Sequence, residues 1–275
     1  MLRRSLRDTV ARPPLAAPAS RVYEALDTIN PRVAVGNVRY RRGAPDGLPI
    51  PPADLRFLVA GTRDISWFLE GGRLAAVSIT DALARAGAVV EDVHAMLDFG
   101  CGCGRVLRHW HALSRTRICG SDYSPKLVDW SRSQLGFAEV HLNQLKPPTD
   151  FAEGEFDLVY ALSVFTHLTP EFQRPWFTDL ARITKPGGHL LMSTHGEAYA
   201  SRLDAQEAKR FRRGELVVKN NIAAPGSNTC AAYHPMAYVR DELASGLELL
   251  EFVPEGARGN PRQDLYVFGK PVPRR

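Results

Sequence analysis

The stretch Leu97-Asp98-Phe99-Gly100-Cys101-Gly102-Cys103-Gly104 decides how this chain is read. An apolar run, residues 95–99 (AMLDF), reads as a strand and leads directly into glycines at every second position. A helix is expected to follow, over residues 104–115. Glycine lets the backbone turn sharply and lets a ligand come close to it. The helix N-terminus behind such a loop offers free N–H groups and a positive dipole end.

Outward from this loop, short apolar runs alternate with helical periodicity, which predicts a parallel sheet with crossover helices. Strands are expected at 95–99, 116–121, 138–142, 156–162 and 188–194, with helices over 124–135 and 170–185 between them. Lys185-Pro186-Gly187-Gly188 supplies a helix stop and a turn into the next strand. Upstream, the Pro/Gly-rich 46–53 (DGLPIPPA) reads as a connector. Two helices are expected after it, 54–71 and 73–87, separated by a stop at Gly71-Gly72. Residues 197–234 are polar and irregular. A helix near 235–245 and an antiparallel pair, 247–253 and 264–269, are expected to close the chain.

Two ligands use a strand–glycine-loop–helix unit. Dinucleotides call for Gly-x-Gly-x-x-Gly. Here the third glycine comes one residue early and Arg105 follows it. Asp98 ahead of Gly-x-Gly-x-Gly instead fits S-adenosylmethionine (AdoMet). Asp122 ends the second strand, where an acidic side chain can accept bonds from both ribose hydroxyls. Ser124-Pro125 then looks like a helix start, with Ser as N-cap.

With these motifs in order, the chain resembles the class I, Rossmann-like AdoMet-dependent methyltransferases, of a bacterial small-molecule type. LDFGCGCGR carries the first motif, GSDYS the second, FDLVYALSVFTHL (156–168) the fourth-strand segment and LARITKPGGHLLMSTHG (180–196) the passage into the fifth strand. The resemblance implies an α/β fold. Its seven-stranded, mostly parallel sheet has the last strand antiparallel, with helices on both faces and an N-terminal helical cap. It implies cofactor contacts from Asp98, Gly100, Cys101, Gly102, Asp122, Tyr123, Asn143, Gln144, Ala161, Leu162 and Ser163. Asn143 departs from the acidic residue commoner there. Three regions are expected: a basic arm over 1–45, a helical cap over 46–90, and the AdoMet-binding domain over 91–275 with a substrate-region insertion at about 197–234.

Methyl transfer from a sulfonium is a direct displacement, so the protein mainly aligns the partners. A hydroxyl or protonated amine acceptor also needs a base, for which His is suited near neutral pH. His167, His195 and His234 follow strand ends and are the catalytic candidates. Cys101-x-Cys103 and His109-x-His111 could suggest zinc. On a helix, residues i and i+2 point about 200° apart, so the histidines cannot share an ion, and no metal is expected.

Composition narrows the rest. The chain has 275 residues, 44% hydrophobic and 24% charged, with a net charge of +5. Such values exclude a wholly disordered chain. No apolar run reaches the roughly 18–20 residues of a membrane helix. Four cysteines suit a reducing cytoplasm. The positive charge is concentrated at the ends: residues 1–42 sum to +6 and 270–275 to +3, while 43–269 sum to −4. A nucleic-acid footprint is therefore not expected, and the acceptor is read as a small O-, N- or S-nucleophile. The alternative is a non-catalytic AdoMet- or nucleotide-binding protein of the same fold. The oligomeric state is not legible.

Overall fold

Alternation of apolar side chains builds the sheet and fills both of its faces. The computed structural model describes residues 30–220, 230–260 and 262–273. Five parallel strands come first: β1 (Ala95–Phe99), β2 (Arg117–Asp122), β3 (Glu139–Leu142), β4 (Phe156–Ala161) and β5 (Thr184–Thr194). A two-stranded hairpin, β6 (Val217–Asn220) and β7 (Cys230–Tyr233), precedes β8 (Glu248–Val253) and β9 (Asp264–Gly269). The main sheet runs β3-β2-β1-β4-β5-β9-β8, and β9 is antiparallel to both neighbours. The strand order reverses between β1 and β4, which opens a crevice at their carboxyl ends.

Met96, Leu158, Tyr160, Leu191, Leu265 and Val267 face one helical layer, and Leu97, Phe99, Ala161, Leu190, Tyr266 and Phe268 face the other. The first layer contains α3 (Ile65–Arg85) and α4 (Pro125–Gln134); the second is built on α5 (Pro170–Ile183), with a π-helical turn at Tyr238–Leu243. This matches the expected fold: strands fall within a few residues of their expected positions. The last strand is antiparallel and helices cover both faces. Among the described residues, no helix is long and apolar enough to cross a membrane.

Three expectations are corrected. The helix expected over 104–115 is a run of turns with one 3-10 segment, Leu107–Trp110. Gly102 and Gly104 sit at φ 58° and 74°, outside helical space, so no α-helix begins there. The helix stop lies at Gly61 (φ 65°), not at Gly71-Gly72, so the cap comprises α2 (Ala53–Ala60) and an unbroken α3. The reason is close approach. A side chain on Gly72 would collide with the Arg105 carbonyl, and one on Gly71 would meet the Arg105 guanidinium at 3.3 Å. The glycine pair is thus a smooth stripe against which the Arg105 backbone and side chain lie. Third, the described residues of 197–234 are regular over much of their length, with a 3-10 segment (Glu197–Arg202), α6 (Ala205–Arg212) and the β6–β7 hairpin. Asp204 and Glu207 cap α6 reciprocally.

Residues 31–38 form a short helix, α1, and Asn37 joins it to the start of α3. The arginines of residues 1–29 lie outside the described residues. Connector 46–52 is anchored by Arg108, whose fully buried guanidinium bonds both carboxylate oxygens of Asp46, at 2.6 and 2.9 Å, and the carbonyls of Leu48 and Pro49.

Candidate active site

The carboxyl ends of β1–β4 bring the cofactor candidates together. Asp98 ends β1 in a site from which water is excluded. Its burial pushes its carboxyl up to about 7, with the nearby Arg105 guanidinium opposing the rise. The Trp110 indole N–H donates to the Tyr160 hydroxyl at 2.8 Å, and that hydroxyl donates to Asp98. Asp98 Oδ2 has no hydrogen-bond partner among the described residues. An orphaned, buried acceptor at the mouth of a glycine loop suits a donor such as an amino group.

Gly100, Gly102 and Gly104 all hold left-handed φ, at 79°, 58° and 74°. The N–H groups of Gly100 and Cys101 both reach the Ser121 carbonyl, and the N–H of Gly102 donates to Asp122 Oδ2 at 2.9 Å. The loop is thereby closed against the end of β2. A Cβ at Gly100 would stand 2.5 Å from Val164 Cγ2, and one at Gly102 2.6 Å from Val59 Cγ2. Side chains of the post-β4 segment and of α2 thus rest directly on the loop.

Asp122 is buried, and its other oxygen accepts from the Ser124 N–H at 2.9 Å. Burial raises its carboxyl above the ordinary range, and these backbone donors counter the rise. Ser124 occupies the N-cap position of α4, but its hydroxyl makes no cap bond; its N–H serves Asp122 instead. Asn143 follows β3 and donates its N–H to the Asp122 carbonyl at 2.8 Å. Tyr123, Leu142 and Leu145 are exposed apolar groups beside it, and Gln144 is exposed as well. Ala161 is buried in the sheet, Leu162 packs against the core, and Ser163 begins the turn after β4 at φ 61°. The Cys101 thiol points back onto Gly120, and burial raises its pKa, so only its backbone faces the loop.

The three histidines gather one strand further on, close enough for His167 and His234 to oppose protonation of His195. The hairpin organises two of them. His167 Nδ1 lies 2.9 Å from the Cys230 carbonyl and His195 Nδ1 3.2 Å from the Ala232 carbonyl. A carbonyl only accepts, so both Nδ1 atoms carry the proton and both Nε2 atoms keep a lone pair. Burial lowers both pKa values, that of His195 far below the usual imidazole range. His195 also stacks on Tyr199 at 4.1 Å.

His234 is different. It is wholly buried, and its Nε2 meets Gln173 Oε1 at 3.1 Å. The Gln173 amide nitrogen is committed to the carbonyls of Phe165 and Leu168, so His234 must donate to its oxygen. Burial holds the His234 pKa at about 3. Its Nδ1 is buried without a hydrogen-bond partner among the described residues.

Several residues around this edge were not singled out from sequence: Trp110, Arg105, Ser193, Asn260 and Gln263. Arg105 donates to the Gly259 carbonyl at 3.1 Å and to Asn260 Oδ1 at 2.5 Å, far along the chain. No local spacing signals such contacts. Elsewhere, Cys119, Glu139 and His141 place possible ligand atoms within 4.8 Å of one another, but Arg117 already engages both oxygens of Glu139.

Comparison with known proteins agrees with this geometry. Residues 97–192 match a family described as "Methyltransferase domain". Over 101 residues the chain is 28% identical to a malonyl-[acyl-carrier protein] O-methyltransferase of Hahella chejuensis, covering 36% of each protein. Over 93 residues it is 31% identical to a methyltransferase of Synechocystis, covering 34% of this chain and 43% of that one. The matched part thus spans less than half the length of these curated relatives. In fold, the chain is similar to the glycopeptide N-methyltransferase MtfA, solved with S-adenosyl-L-homocysteine. The TM-score is 0.51 at 15% identity, covering 72% of this chain and 90% of that one. Residues 97–192 thus resemble a methyltransferase domain, over about a third of this chain.

Proposed function

We propose that the whole protein transfers the methyl group of AdoMet to a small-molecule acceptor carrying an O-, N- or S-nucleophile. The observation that carries this reading is the left-handed glycine loop between Asp98 and Asp122, at the point where strand order reverses. When bound, AdoMet supplies a methyl group on a sulfonium, already activated toward displacement. Asp98, with its orphaned oxygen, would take the amino end, and Asp122 the ribose hydroxyls. Tyr123, Leu142 and Asn143 would flank the adenine. His167 and His195, each with a free Nε2 lone pair, would take the acceptor's proton. The cap and the 197–234 insertion border this edge and would select the acceptor. The names of the relatives point in different directions, to an acyl-carrier-bound malonyl group and to a glycopeptide, so they support the reaction type and leave the acceptor atom open. Four buried, free thiols are in keeping with a cytoplasmic location.

Titration calorimetry with AdoMet and with S-adenosylhomocysteine tests the reading. We expect both to bind wild type and Asp122→Ala to lose at least about tenfold in affinity. Binding of neither by wild type overturns the proposal. Binding without turnover of any acceptor, across acidic, amine and thiol libraries, favours the non-catalytic alternative.

A further inference from the structure

The turn after β4 is held in an unusual backbone state by a residue from the far end of the chain. Ser163 stands at φ 61°, a left-handed conformation that a non-glycine residue keeps only where its surroundings over-determine it. Its N–H donates to Ser193 Oγ at 2.8 Å, and the Ser193 hydroxyl donates to Gln263 Oε1 at 2.7 Å. Gln263 Nε2 donates to Ser163 Oγ at 2.8 Å, which closes a ring. Thr166 seals it from the other side. Its hydroxyl donates to the Ser163 carbonyl at 2.7 Å, and its oxygen lies 3.2 Å from Ser163 Oγ.

In this ring Ser193 accepts the Ser163 N–H and spends its one hydroxyl proton on the amide oxygen of Gln263, while the amide nitrogen faces Ser163. Gln263, Ser193 and Thr166 are all buried, at 5%, 0% and 0% exposure.

The ring acts at the crevice and not in the distant core. Val164, next to Ser163, rests on Gly100 of the glycine loop. Arg105, which follows that loop, is bonded to Gly259 and Asn260, a few residues before Gln263. The β8–β9 connector is therefore tied to both walls of the crevice, one through Arg105 and one through Gln263.

We propose that Gln263 is a positioning residue for the cofactor site: it sets the left-handed Ser163 turn and thereby the wall facing Gly100. This rests on the reading of the Gly100–Ser163 crevice as the AdoMet site. Gln263 touches no reacting atom. Removing its amide takes the acceptor from the Ser193 hydroxyl and one donor from Ser163 Oγ, and lets the turn relax toward ordinary φ.

The test compares wild type, Gln263→Met, Gln263→Glu and Ser193→Ala, with S-adenosylhomocysteine as the calorimetric probe and thermal unfolding as the control. Met matches Gln in length and lacks its polar atoms. We expect the Kd to rise by about tenfold in Gln263→Met and by a similar factor in Ser193→Ala. The double variant should lose little more than either, because both break the same ring. Gln263→Glu keeps the acceptor for Ser193 and should retain most of the affinity. A merely structural role would lower the unfolding midpoint and leave the Kd of the folded protein at its wild-type value. That result in Gln263→Met overturns the proposal. Should Gln263→Met fail to fold, a wild-type Kd in Ser193→Ala overturns it equally. Failure of wild type to bind the probe is a different outcome, which removes the functional reading itself.

Discussion

At the scale of single residues, the site runs on burial. Burial pushes the Asp98 carboxyl up to about 7, against the Tyr160 hydrogen bond and the Arg105 charge, which both lower it. A carboxyl whose folded pKa lies above its unfolded value favours folding in its protonated form. That contribution is complete below about pH 4 and is lost as pH rises to about 7. In this window the Asp98 term lowers stability by up to about 1.4 kcal/mol per pH unit. His234, depressed to about 3, has the opposite sign: its contribution is complete above about pH 6.5 and is lost on acidification. The two slopes oppose each other in wild type. The stability difference between Asp98→Asn and wild type, from urea melts at several pH values, should therefore grow from pH 4 to 7 and then level off. His167 and His195 are also depressed, so their neutral, proton-accepting forms persist below the usual imidazole range. The acid limb of kcat/KM should lie below about pH 6.5. A His167→Gln or His195→Gln variant of the true base should lose about 100-fold or more in kcat.

At the scale of elements, two devices join the cap to the sheet. The Gly71-Gly72 stripe lets α3 lie against the Arg105 carbonyl. Arg108 pins the connector, which sets α2 so that Val59 reaches Gly102. Arg108→Ala would leave the Asp46 carboxylate and two carbonyls without their donor. We expect a loss of about 3 kcal/mol in chemical denaturation, less than for a fully buried pair because Asp46 is partly exposed. Gly104→Ala would force a left-handed Cβ into Leu135 of the α4 terminus, at a cost of at least about 2 kcal/mol by the same measurement.

At the scale of the whole molecule, the switch in strand order assembles the site from four strand ends, and the β8–β9 connector braces it from behind. Ligand binding to the folded state alone should stabilise the entire sheet: at a hundredfold excess over Kd, S-adenosylhomocysteine should add about 2.7 kcal/mol. The rise in unfolding midpoint should disappear in Asp122→Ala. The basic ends are expected to bear on none of this. Removal of residues 1–20 should leave AdoMet affinity nearly unchanged, checked by calorimetry, and a large loss would show that the arm takes part in the site.

What the sequence determined by itself was local and periodic. The unbroken apolar runs within 95–99 and 264–269, the glycine spacing from Gly100 to Gly104 and the acidic residues near the ends of β1 and β2 are patterns that backbone geometry imposes directly on neighbouring positions. With the resemblance they carry, they were enough to read the sheet and the strand that runs against the others. Only the tertiary structure decided which glycines end a helix and which permit contact, since Gly71 and Gly72 are defined by Arg105 and Gly259. It alone gave the three histidines their settings, since His167 and His195 meet carbonyls of β7 through Nδ1 while His234 meets Gln173 through Nε2. It alone joined Gln263 to Ser163, one hundred positions earlier. Such pairings have no spacing of their own; they exist once the sheet has brought distant strand ends side by side.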